Sequence, residues 1–296
     1  MFHIKYVTIH VYSIKECITL MRKRKTYEEL TFSDDFMFCN ILSNHLDLCK
    51  ELLELLLDVK IRKIEIAQTQ KVIDVTYEGK GVRFDVYVED DMNSVYDIEM
   101  QTVTKKDLPK RSRYYQGMID SYLINKGQGY TKLKKSYIIF ICMDVDELFA
   151  GNLPVYTFEN TCLQDSSIKL DDEAIKVIIN ANGNRESLSE NMGAFLDFIK
   201  DNVANSHFTK KIQEVISDSK SKSKWRDVYM TLEMKIQEER EEAHEEGLAE
   251  GRAEGLLSTI KLCKKIGWDY SDTVKQVMED YNLDEETAQV NVSALW

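Results

Sequence analysis

The stretch Val82-Arg-Phe-Asp-Val-Tyr-Val-Glu-Asp-Asp-Met-Asn-Ser-Val-Tyr-Asp-Ile-Glu-Met-Gln101 constrains the fold more than any other part of the chain. Both halves alternate with period two, and Asp90–Ser94 supplies turn residues between them, so the segment reads as an antiparallel hairpin. One register keeps the faces unmixed. It sets Val88 against Tyr96, Val86 against Ile98 and Phe84 against Met100 on an apolar face, with Tyr87–Asp97, Asp85–Glu99 and Arg83–Gln101 on the other. A slip of one residue would interleave the two sets, which is why the pattern itself selects the pairing. In that register the Cβ atoms of Asp85 and Glu99 lie roughly 4.5–5.5 Å apart. Two like charges at this distance call for a proton on one of them or a divalent cation between them. Two carboxylates and a nearby main-chain carbonyl suit Mg²⁺ or Mn²⁺, which prefer oxygen ligands.

The remaining periodicities place this hairpin inside an α/β core. Residues 26–60 read as helical, with Thr31 or Ser33 as cap, Asp34 and Asp35 in the first turn and a leucine face at 52–57. Short β-prone segments follow at Ile64–Ala67, Val72–Tyr77, Val82–Val88 and Val95–Gln101. Pro109 suits the first turn of a helix reaching Lys126, with Gly127 as its C-terminal cap and Tyr114, Tyr115, Met118 and Tyr122 as its core stripe. Tyr137–Met143 is a nearly unbroken apolar run of the kind buried on both sides of a sheet, and Ile175–Ile179 is a further strand before a turn at Asn182–Gly183–Asn184. Ser187 or Ser189 opens a helix carrying Phe195, Leu196, Phe198 and Ile199; the polar run Ser217–Ser223 reads as a loop. A helix with apolar positions at Trp225, Tyr229, Leu232 and Ile236 continues into the Glu/Gly-rich stretch Glu238–Gly255, and short helices end the chain. Gly267 ends one of these, and Ser271 and Asp284 are caps for the others.

Composition narrows the classes. With 43% hydrophobic residues in 296, a sizeable core is affordable, yet no apolar run approaches the roughly 18 residues of a spanning helix. Six scattered cysteines without a CxxC pair suit reduced thiols and a cytoplasmic setting. Five dispersed histidines argue against a zinc site, and neither G-x-S-x-G nor a Walker A sequence is present. Residues 1–20 lack a leader's cleavage pattern and are set apart as an extension, with Met21 as an alternative start to Met1. The formal charge of −12 is uneven: residues 233–296 hold 16 acidic and 7 basic groups, whereas 101–135 holds nine Lys/Arg against Asp107 and Asp120. That positive stretch is suited to a polyanion whatever the total charge.

Asp85 followed after thirteen residues by Glu99-Met100-Gln101, on a strand pair ahead of a basic helix, resembles the PD-(D/E)XK nuclease motif. Further stretches resemble, more narrowly, the recombination-promoting nuclease / putative transposase family. They are Asp34-Asp-Phe-Met-Phe38, Gly81-Val-Arg-Phe-Asp-Val-Tyr87, Tyr96-Asp-Ile-Glu-Met-Gln101, Arg113-Tyr-Tyr-Gln116 and Trp225-Arg-Asp-Val-Tyr-Met230, with the Glu-Gly repeats near the C-terminus. The resemblance implies a restriction-endonuclease-like core, a central mixed sheet flanked by helices, that cuts phosphodiester bonds in DNA in the service of recombination or mobile elements. It implies metal binding by Asp85, Glu99 and the Met100 carbonyl, with Gln101 as a further catalytic residue and Asp34 or, in preference, Asp35 as an accessory acid. Gln101 replaces the motif's usual Lys and brings no charge, so a second metal, or Arg83, Lys105, Lys106 or Arg111, would have to supply it. The alternative is a DNA-binding protein that keeps the fold without turnover. Lys105, Lys106, Lys110, Arg111, Arg113 and Gln116 are the expected DNA contacts. The expected organisation is a nuclease-like domain over 21–232, an acidic helix over 233–258 and a helical tail over 259–296, through whose helices two copies associate.

Overall fold

The computed structural model describes residues 25–73, 81–186 and 188–296. The extension at 1–20, the second half of the Val72–Tyr77 segment and Ser187 lie outside them. The chain divides into two compact units, the first running to Arg226 and the second from Asp227 to Trp296.

The first unit is built on a six-stranded mixed sheet of order β1-β2-β3-β4-β6-β5. Its strands are β1 (Ile64–Ile73), β2 (Val82–Asp90), β3 (Val95–Gln101), β4 (Ser136–Cys142), β5 (Val155–Phe158) and β6 (Ala174–Asn180). β1, β2 and β3 are antiparallel neighbours, β4 joins β3 and β6 in parallel, and β5 closes the edge against β6 antiparallel. The parallel β3–β4 step needs a crossover, and α3 (Leu108–Leu123) provides it. Every residue of β4 is buried, as its unbroken apolar run requires of a strand covered on both faces. One covering layer is α3, whose Leu108, Met118 and Ile119 pack with Phe84, Tyr87, Ile138, Phe140 and Ile178. The helices α1 (Asp35–Asn44), α2 (Leu46–Leu57), α4 (Glu190–Asp201) and α5 (His207–Ser221) bring together Phe32, Phe38, Phe195, Phe198 and Phe208, whose rings meet edge-on or tilted.

Several local expectations needed correcting. Ile64–Ala67 and the described start of the second β-prone segment, Val72 and Ile73, lie on one strand, β1, which passes through Gln70 at a positive φ of 49°. β5 was missed because four residues carry too little periodicity. The expected helix over 26–60 is a 3-10 turn at Tyr27–Glu29 followed by two helices, which begin only at Asp35, with Asp34 in the cap position in place of Thr31 or Ser33, and break at His45; Ser217–Ser223 is helical except for a break at Lys222. α3 stops at Leu123, so Gly127 (φ 90°) turns the loop beyond it rather than capping it. Of its expected core stripe, Tyr114 and Tyr122 stand exposed; only Met118 is fully covered, with Tyr115 packed against the cluster.

Gly183 sits in the expected turn for a steric reason. A Cβ there would lie 2.4 Å from Cα and 2.6 Å from N of Pro154, at the entrance to β5. Gly193, inside α4, has nothing within 4 Å of the same added atom. Alanine should therefore act oppositely at the two sites. Gly193→Ala is expected to gain about 0.5–1 kcal/mol from helix propensity, whereas Gly183→Ala must displace backbone and lose stability. Urea melts of the two variants that move in the same direction would refute this reading.

The second unit contains most of α6 (Ser223–Lys265), then α7 (Tyr270–Tyr281) and α8 (Glu285–Ser293). Ile260, Val274, Val277, Ala288 and Val292 form its small core. Gly267 ends α6 as expected and Asp284 caps α8, but α7 is capped by Asp269 instead of Ser271. Of the three repeated glycines only Gly255 meets a neighbour: a Cβ there would be 3.0 Å from Tyr281 Oη. No helix of the described residues is long and apolar enough to cross a membrane.

Candidate active site

The hairpin forms in the register that its alternation selects, with Val88 opposite Tyr96, Tyr87 opposite Asp97 and Val86 opposite Ile98. Beyond that last pair the strands are joined differently. The Asp85 amide donates to Glu99 Oε1 at 3.0 Å, and the Met100 amide donates to Asp85 Oδ2 at 3.1 Å. Each acid thus takes a main-chain N–H of the opposite strand, and the two carboxylates are held side by side. The face alternation of β2 also changes here. Phe84, expected beside Val86 and Val88, packs instead with Tyr87 and Tyr115, its ring 5.3 Å from that of Tyr115.

Burial makes this pair electrically costly. Glu99 is buried and its carboxyl is pushed up to about 8, first by desolvation and then by the charge of Asp85. Asp85, half-buried, is pushed up to about 6 by desolvation and by Asp35, against the opposing pull of the Met100 amide and of Arg111. Asp97 joins them from the next outward position of β3. It is fully buried, and desolvation followed by Glu99 and Asp85 raises it well above the ordinary range. Its carboxyl meets that of Glu99, a contact that bonds only when one of the two carries a proton; with both ionised, neither Asp97 oxygen has a donor. Sequence reasoning placed Asp97 on this face without giving it a part. The i, i+2 spacing to Glu99 on a strand buried on both sides was the available signal.

Asp35, in the first turn of α1, comes to the same place. Cys39 Sγ lies 3.5 Å from Asp35 Oδ1 and 3.4 Å from the Asp85 carbonyl, and burial with these two acids pushes its thiol far up. Gln101 is half-buried, and its Nε2 donates to the Met100 carbonyl at 3.1 Å. Of the four cationic side chains considered as replacements for the missing Lys, Arg111 is the one in an ion pair with the acids. Its Nη2 is 3.6 Å from Glu99 Oε2, and its guanidinium lies 4.8 Å from the Phe140 ring centre and 5.5 Å from that of Tyr115. Lys106 is engaged at the surface by Glu147, 3.1 Å away. Lys105, Lys110 and Arg113 are exposed along the start of α3. Gln116 is not with them: it is buried and donates to Ser136 Oγ at 2.7 Å and Asp120 Oδ1 at 3.0 Å, which removes it from the expected DNA contacts.

Among the described residues no group of three or more His, Cys, Asp or Glu side chains is spaced to hold a metal ion. Asp85 and Glu99 bring oxygen donors side by side, the Met100 carbonyl lies on the same strand as Glu99, and neither oxygen of the buried Asp97 carboxyl has a hydrogen-bond partner among the described residues. This chemistry fits a hard divalent cation that completes its shell with water.

A mixed sheet flanked by helices, with paired acids where β2 and β3 part, defines a restriction-endonuclease-like α/β fold. Residues 33–152 match the family described as PD-(D/E)XK nuclease family transposase, a span that runs from the N-terminus of α1 past β4 and includes Asp35, Asp85, Glu99 and Arg111. The resemblance to the PD-(D/E)XK nuclease superfamily therefore holds over this segment. No curated protein and no solved structure matched the chain.

Proposed function

We propose that the chain is a divalent-metal-dependent DNA endonuclease. The observation that carries this is the pair of acids, half-buried Asp85 and buried Glu99, fixed side by side at the foot of the basic helix α3. In this reading Asp85, Glu99 and the Met100 carbonyl hold Mg²⁺ or Mn²⁺. The ion would polarise the phosphate and make hydroxide available from a bound water. Asp35 biases the protonation of Asp85, Gln101 orients water or phosphate through its amide, and Arg111 provides the positive charge that Gln101 lacks. Lys105, Lys106, Lys110 and Arg113 hold the strand by its phosphates, which gives affinity without base readout.

The family's description as transposase supports a role in recombination or mobile elements. A cytoplasmic location belongs to the same reading and is supported by Cys39, Cys49, Cys142, Cys162 and Cys263 all being free thiols. The domain limits at 21–232, 233–258 and 259–296 and the association of copies through the C-terminal helices rest on sequence; the mass of the chain in solution reads the latter.

A second reading has one observation in its favour. The Gln101 amide is engaged on the very carbonyl assigned to the metal, as expected of a protein that binds DNA without turnover. Supercoiled plasmid with Mg²⁺ or Mn²⁺ separates the two. The wild type should nick it, and Asp85→Ala and Glu99→Ala should each lose about three orders of magnitude in rate, equivalent to about 4 kcal/mol of transition-state stabilisation. A folded wild type that binds plasmid and leaves it intact selects the second reading. Nicking that survives both substitutions places the chemistry elsewhere.

A further inference from the structure

Arg111 also lines a cavity of about 460 Å³ at the start of α3, shared with Arg83, Asp107, Lys110, Tyr114 and Tyr115. Three of these six side chains are cationic and one is acidic, and Asp107 is the N-terminal cap of α3. Elsewhere in the basic stretch the lysines nearest to acids are spent on them, Lys106 on Glu147 and Lys134 on Glu89. Arg83 and Lys110 are exposed and pair with no acid among the described residues. Arg111 is half-buried, with Nε and Nη2 enclosed and without a hydrogen-bond partner among the described residues and Nη2 3.6 Å from Glu99 Oε2, so it contributes charge to the cavity wall while Arg83 and Lys110 offer the exposed donors.

A concave site with the exposed Arg83 guanidinium fork, the Lys110 ammonium, the charge of Arg111 in its wall and a tyrosine edge is suited to a tetrahedral oxyanion, since guanidinium matches two phosphate oxygens at once. The positive end of the α3 dipole adds to the same field. We propose that this cavity is an anion subsite that holds an internal phosphate of the nucleic-acid strand, next to the one presented to Asp85 and Glu99, with Arg111 standing between the two positions. The inference rests on DNA being the ligand, and it adds Arg83 to the DNA-contacting residues and gives Lys110 a defined partner.

Binding without turnover tests it, so that failure of the nuclease reading and failure of this one are told apart. The full chain in EDTA is titrated with a fluorescent duplex across a range of salt, comparing wild type, the double variant Arg83→Ala/Lys110→Ala, and Lys210→Ala as a charge control on α5. Both residues of the pair are exposed, and a thermal melt confirms that the variant is folded. The double variant should bind at least about tenfold more weakly, with the slope of log K against log salt reduced by about 1.8 for two lost phosphate contacts, and Lys210→Ala should match the wild type. Affinity and slope unchanged in the double variant would overturn the proposal, even if plasmid nicking is found. A loss seen equally with covalently closed circles places the phosphate inside the strand, as proposed. A loss confined to duplexes bearing a 5′-phosphate would overturn that placement and make the cavity an end-binding pocket. Inorganic phosphate, which should compete with duplex on the wild type more strongly than on the double variant, provides the check that does not depend on DNA geometry.

Discussion

Glu99→Gln should melt at a higher temperature than the wild type at pH 8 without metal, and the advantage should vanish near pH 4. The sign follows from burial. An unfolded glutamate titrates near 4.3, whereas folding pushes Glu99 up to about 8. The folded chain therefore holds this proton more tightly than the unfolded one, and stability is lost as pH rises from the ordinary carboxylate range through about 8. Asp85, pushed up to about 6, adds to the loss in the lower part of that window. Glutamine keeps an oxygen for the Asp85 amide and cannot ionise, so it escapes the penalty. Divalent metal should act in the opposite sense. Mg²⁺ at ten times its dissociation constant stabilises by about 1.4 kcal/mol if it binds only the folded state, and Glu99→Gln should lose most of that response. Melting curves from pH 4 to 9, with and without Mg²⁺, give both readings. A wild-type minus variant difference that stays constant with pH would show that Glu99 is not strained by its surroundings.

Phe140→Ala is expected to cost about 3–5 kcal/mol, enough to threaten the fold of a marginally stable domain. The side chain is fully buried at the middle of β4, opposite Glu99 in the parallel ladder to β3, and its ring lies 6.0 Å from that of Tyr115. It is also the surface on which the Arg111 guanidinium rests. Phe140→Leu separates these two parts. It restores most of the volume at a cost below about 1.5 kcal/mol, yet offers no ring face to the cation. If the ring positions Arg111, Phe140→Leu should remain folded and lose nicking rate more than DNA affinity. Equal losses in urea stability and in activity would reduce Phe140 to a packing residue.

What could be read from the sequence depended on how much periodicity a segment carries. The hairpin was legible because both strands alternate over several residues and only one register keeps polar and apolar sets apart. β4 was legible through its unbroken apolar run. β5 has four residues, and the bend at Gln70 is a backbone event without a side-chain signature, so neither could be seen. Asp85 and Glu99 were expected from facing each other across the strands, and Asp35 from the resemblance; it lies in the first turn of α1. Gln116 was misread because a polar residue on a basic helix looks like a surface contact; its burial follows from the chance to bond Ser136 and Asp120, which lie on different elements. Phe84 failed for a local reason. Period two holds only while the ladder is regular, and β2 departs from it at Asp85, where side chains take over the bonding to β3. Arg111 was one candidate among four until α3 was placed over β4.

That takeover has a consequence for orientation. Asp85 gives one lone pair of Oδ2 and Glu99 one of Oε1 to the backbone, which leaves Oδ1 and Oε2 as the oxygens with no backbone bond. Glu99 has the Arg111 guanidinium 3.6 Å from Oε2 as well as Asp97 against its carboxyl, whereas the charge that acts most on Asp85 is that of the acid Asp35, ahead of Arg111 and Arg83. The two ends of the site are thus electrically unlike. A phosphodiester undergoing displacement is unlike at its two ends as well, with an entering oxygen on one side and a departing one, gaining charge, on the other. If the chain cuts DNA as proposed, such a site would accommodate it in one sense better than in the reverse, with the departing oxygen toward the cationic end, and would give a strand without any base contact a direction in which to be read.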